Sequence, residues 1–129
     1  MVSRLAIFAK ALRGGRWGVI DYVIRTHGID LLNISMGYGK WSVLHILADS
    51  INNNGSADCI KSLFNKYGYL LNVDIKNHTG QTPLFFASRK GHYPQMYELI
   101  KFGADIDIKD DNGDTARTVL CKRSYYFDR

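Results

Sequence analysis

Residues 82–115 read TPLFFASRKGHYPQMYELIKFGADIDIKDDNGDT, and the fold turns on how this stretch is parsed. Thr82 can cap a helix with its hydroxyl, and Pro83 stands at a first-turn position whose N–H would lack a partner anyway. Leu84, Phe86, Ala87 and Ser88 then supply an apolar and small face. Gly91 can take the left-handed conformation and so ends that helix. Pro94 opens a second helix, in which Met96, Tyr97, Leu99 and Ile100 recur at the i, i+3, i+4 spacing of a buried stripe, and Gly103 stops it. The extended ADIDIKDDNG that follows predicts a protruding hairpin, with Asn112-Gly113 as its turn signal.

The end of this stretch has a twin upstream. VDIKNHTGQT (73–82) and IDIKDDNGDT (106–115) agree at Asp74/Asp107, Ile75/Ile108, Lys76/Lys109, Gly80/Gly113 and Thr82/Thr115, each pair 33 positions apart. A fixed offset of that size marks a repeat architecture. Gly80, Thr82-Pro83-Leu84, Ala87, Gly91-His92, Leu99-Ile100 and Gly103-Ala104-Asp105 together resemble an ankyrin repeat. The histidine of the family's usual Thr-Pro-Leu-His is replaced by Phe85, which removes a polar link between neighbouring loops and shifts the repeat towards apolar packing.

Three further units read more loosely. GKWSVLHILADS keeps Ser42, Leu44, His45 and Ala48 in signature places, and SADCIKSLFNKYG supplies its second helix, with Ser56 as the expected cap and Ile60, Leu63 and Phe64 inward. From Gly39 to Gly80 this unit runs 41 residues, so extra residues are expected in the polar loop Ile51–Ser56, in GYLLNVD, and near Trp41. Before it, RLAIFAKALRGGRWGVIDYVIRTHGIDLL reads as two helices broken at Gly14-Gly15. Leu5, Phe8, Ala9 and Leu12 line the first, and Val19, Ile20, Val23 and Ile24 the second. DTARTVLCKRSYYFDR starts a partial last unit, whose Tyr125, Tyr126 and Phe127 are placed to cover the open end of a stack. The expected organisation is a single all-α solenoid of stacked helix-turn-helix repeats with protruding β-hairpin loops. It divides into a capping repeat (1–36), a repeat with insertions (37–76), the best-matching repeat (77–109) and a partial C-terminal cap (110–129).

Bulk properties fit one domain: 129 residues, 46% apolar, and no apolar run near the ~20 residues that a membrane helix needs. Two cysteines, Cys59 and Cys121, far apart and outside any CxxC pair, point to an intracellular setting, cytoplasmic or nuclear. The basic, acid-free N-terminus serves better as a first helix than as a mitochondrial targeting segment. Net charge is +5 but uneven, basic over 1–40 and in the tail, acidic over 98–114.

No enzyme chemistry emerges from the residues. The acidic DIDIKDDNGD fails as a calcium loop, since Ile108 and Val119 fall where the first and last ligands belong. His27, His45, His78 and His92 are scattered through different units with no zinc spacing. His45 and His92 are expected to bond neighbouring backbone, and Cys59 to be a small buried hydrophobe. No glycine-rich phosphate loop is present, and RGGRWG is explained by the break between two helices.

The resemblance implies a non-enzymatic protein-binding module, monomeric on its own and needing no cofactor or metal. Its contacts would run through the hairpin tips and the inner face of the first helices. Those positions are Tyr38, Lys40 and Trp41; Asn77, His78 and Thr79; Asp111 and Asn112; and Asp49, Ser50, Arg89 and Lys90. Trp41 is expected either at an exposed tip or packed on the neighbouring repeat. The alternative partner is a nucleic acid held by the basic ends.

Overall fold

The computed structural model describes residues 3–51 and 53–127, without the side chains of 53 and 124–127. Among the described residues seven α-helices follow one another: α1 (Arg4–Gly14), α2 (Trp17–His27), α3 (Val43–Asp49), α4 (Asn53–Tyr67), α5 (Pro83–Lys90), α6 (Tyr93–Lys101) and α7 (Ala116–Phe127). They form two layers. The odd-numbered helices stack in sequence as an inner layer, and α2, α4 and α6 form the outer one. Among the described residues the chain has no β-strand, only an isolated bridge between Met36 and Trp41. This is the expected all-α stack.

Several helix starts have a local cause. Ser42 and Thr82 accept from the N–H groups of His45 and Phe85, and Pro83 occupies the first turn of α5. Thr115 and Thr118 exchange bonds in a reciprocal capping pair at the start of α7. Gly91 ends α5 at φ 70°, where its N–H bonds the carbonyls of Ala87 and Ser88.

The core runs unbroken between the layers. Phe8, Leu12, Ile20, Ile24, Leu44, Leu47, Ile60, Leu63, Leu84, Phe86 and Leu99 are almost wholly buried. Each contributes about 1.5–3 kcal/mol through lost apolar hydration. On the outer side, Asp21 of α2 ties to Lys66 at 2.8 Å and to the Tyr67 hydroxyl at 2.9 Å in α4.

Several sequence expectations need correction. Ser56 does not cap α4: the helix starts at Asn53, and Ser56 is buried inside it. The polar run Ile51–Ser56 is therefore mostly helix rather than loop, because α4 packs along α6 and that packing extends it past a loop-like composition. The expected stripes are also too wide. Leu5, Val19, Tyr97 and Ile100 are 39%, 48%, 65% and 48% exposed, while Gln95 is buried in place of Tyr97. Each helix here meets neighbours over a narrower arc than its apolar residues span. Tyr125, Tyr126 and Phe127 lie outside the described side chains.

Candidate partner-binding surface

The loop tips follow one construction. At the second tip, Asn77 Oδ1 accepts from the N–H groups of Thr79 and Gln81, and the Asn77 N–H donates to the Gln81 carbonyl. At the third, Asp110 Oδ1 accepts from Asn112 and Asp114 in the same pattern. A short polar side chain that closes the turn explains why Asn or Asp recurs there. Gly80 sits at φ 79°, and a Cβ on it would come within 2.7 Å of Asp111 Oδ1, so glycine is required. The first tip differs. Met36 and Trp41 exchange backbone bonds of 2.8 and 3.0 Å around a turn in which Lys40 itself takes a left-handed φ of 54°.

Neighbouring tips are tied together. The His78 N–H donates to the Gly39 carbonyl at 2.8 Å, and the Asp111 N–H to the Thr79 carbonyl at 3.0 Å. Beneath this ladder His45 Nε2 bonds the Gln81 carbonyl at 2.7 Å, and His92 Nδ1 bonds the Ala48 carbonyl at 3.1 Å. Both histidines thus bond neighbouring backbone, as expected. With Phe85 in the histidine's place, the third loop is held by the Asp111–Thr79 bond, and the Arg89 guanidinium lies 5.8 and 4.9 Å from the Phe85 and Phe86 ring centres.

Of the expected contact residues, the structure brings Trp41, Asp49, Ser50 and Lys90 around one groove of about 420 Å³. Lys90 and Asp49 pair across it at 2.8 Å, joining α5 to α3. Asn77, His78, Thr79, Asp111 and Asn112 lie apart from the groove, along the tip edge. Tyr38 stands fully exposed at the first tip. Trp41 is half-buried, its ring 4.5 Å from that of Phe86, so it packs on the neighbouring repeat while one side lines the groove.

Sequence reasoning missed Arg13, Ile46 and Ile51, which complete the groove. Arg13 was legible in principle, because it lies in the last turn of the first inner helix, as Asp49 and Lys90 do in the next two. Ile51, 90% exposed, was hidden in a run read as loop.

The groove offers apolar area with charges of both signs and no poised nucleophile. The Cys59 thiol is buried away from it, and that burial, with the nearby Asp58 charge, pushes its pKa up to about 11. Among the described residues, no three His, Cys, Asp or Glu side chains converge as a metal site. No described helix is long and apolar enough to cross a membrane. In the tail, Arg117 and Lys122 are paired with Asp107 and Asp114.

The family profile for ankyrin repeats (three copies) matches residues 44–126. The chain belongs to the ankyrin-repeat family. It is similar to human protein phosphatase 1 regulatory subunit 27, 29% identical over 114 residues that cover 88% of this chain and 68% of that protein. It is 40% identical over 70 residues to the phosphate system positive regulatory protein PHO81 of Saccharomyces cerevisiae, covering 54% of this chain. It is also 32% identical over 96 residues to the putative E3 ubiquitin-protein ligase XBAT31 of Arabidopsis thaliana, covering 74% of this chain. The chain spans only 6% and 19% of the lengths of the last two proteins. Ankyrin repeats are protein-interaction modules.

Proposed function

We propose that this ankyrin-repeat protein is a monomeric adaptor or inhibitor that grips one partner protein between its tip edge and its concave groove. It works inside the cell, in cytoplasm or nucleus, and catalyses no reaction. The repeats run 1–36, 37–76, 77–109 and 110–129, and the contact residues are the twelve named from the sequence, joined by Arg13 and Ile51. One observation carries this reading: residues from three successive units converge on a single groove beneath hydrogen-bonded tips. Exposed Tyr38 and Ile51 are the anchors, since they can bury much area on binding. The resemblance to a protein phosphatase 1 regulatory subunit suggests that phosphatase as the first partner to try.

The test is affinity capture from native extract, with purified protein phosphatase 1 as a separate bait. Wild type is compared with a Tyr38→Ala/Ile51→Asp variant whose melting temperature is unchanged. Loss of a specific partner by the variant supports the reading. Recovery of the same proteins by both forms would show that another surface is used.

A further inference from the structure

Among the described residues, one face of the first helix pair is uncovered. α1 and α2 pack on α3 and α4 by one side only, and their other side opens a groove of about 800 Å³ to which no residue of α3 or α4 contributes. Ala6, Ile7, Ala11 and Val19 line it, and Lys10 and Arg16 stand at its edge. Val19, 48% exposed, adds apolar surface to it. The small residues Ala6, Ala11 and Gly14 leave room for another helix axis to come close.

The charge around this groove has one sign. Lys10 and Arg16 have no ion pair among the described residues, while Asp21 and Asp30 are engaged by Lys66, Arg25 and Arg4. The first turns of α1 and α2 hold no acid, and no side chain caps the start of α2. The positive end of the α2 dipole therefore adds to Arg16 at the groove's edge.

We propose that this end face is a second docking site, separate from the concave groove, which takes an amphipathic helix of a partner protein with Asp and Glu flanking its apolar stripe. Helix-in-groove recognition needs an apolar floor and complementary edges, and both are here. Nucleic acid fits less well: two cations fall short of the roughly 6–10 phosphate contacts that make strong salt-dependent binding, and phosphates gain nothing from an apolar floor.

The probe is a labelled synthetic amphipathic helix of about five turns, Leu- and Ala-striped, made in a Glu-flanked and a Lys-flanked form. Binding is followed by fluorescence anisotropy and mapped by amide chemical-shift changes. The Glu-flanked peptide should bind saturably, at least about tenfold tighter than the Lys-flanked one, with shifts centred on Ala6, Ala11 and Val19. Lys10→Glu/Arg16→Glu, both at exposed positions, should reverse the preference. Lys90→Glu, in the concave groove, should leave it unchanged. Equal binding of the two peptides, shifts centred on Trp41 and Lys90, or displacement by mixed-sequence DNA would overturn the proposal. So would self-association in sedimentation that Val19→Asp abolishes, because the occupant would then be a second copy of the chain.

Discussion

His45 has both ring nitrogens committed. The Ser42 backbone N–H donates to Nδ1 at 3.0 Å, which leaves Nε2 to carry the proton and donate to the Gln81 carbonyl. A second proton, on Nδ1, would face that N–H in a site shut off from water. Burial lowers the pKa from 6.5 to about 4, despite the opposing pull of the Gln81 carbonyl. The unfolded chain takes up a proton near pH 6.5 while the folded one does not. The stabilisation is complete above that pH and is lost as pH falls towards 4. The loss is on the order of 3 kcal/mol across the window. Urea midpoints measured from pH 7 to pH 4 should fall accordingly, with a shallower pH dependence in His45→Gln. A parallel dependence in both forms would assign the effect elsewhere. Asp21, Asp30 and Asp107, whose pKa values are lowered, lose their contribution only below the ordinary carboxylate range.

At the scale of the element, the first tip separates two aromatics that the sequence groups together. Trp41→Ala removes a ring packed on Phe86 and should destabilise by about 2–3 kcal/mol, less than the ~3–5 of a fully buried tryptophan. Tyr38→Ala touches a fully exposed side chain and should move stability by no more than about 0.5 kcal/mol. Thermal melts of the two variants check this, and equal losses would contradict the packing described. The best-written repeat was readable because capping is local: Thr82, Pro83 and Gly91 act within one turn of their own positions. The start of α4 was not, because Asn, Gly and Ser favour loops in isolation and only the packed neighbour α6 overrides them. The groove was half legible for the same reason. Arg13, Asp49 and Lys90 recur in matching last turns, but the approach of Ile51 is a product of stacking.

For the whole molecule, stability is a sum of units and the interfaces between them. α7 covers α5 with buried Ala116 and half-buried Leu120. Deleting residues 111–129 also removes the Asp111–Thr79 bond and the Arg123 bond to the Arg89 carbonyl. The melting temperature should fall by roughly 5–10 °C. Calorimetry of the shortened chain settles it, and an unchanged melt would mean that the last helix does not seal the stack.

The bonds from Gly39 to His78 and from Thr79 to Asp111 run along one margin only. The assembly is therefore stitched like a book along its spine, while side chains such as Asp21 and Lys66 tie its outer face. The spacing of that margin is set by backbone bonds of 2.8 and 3.0 Å. A ligand lying across the spine meets a ruler of fixed pitch, and a poor fit cannot be accommodated by stretching it.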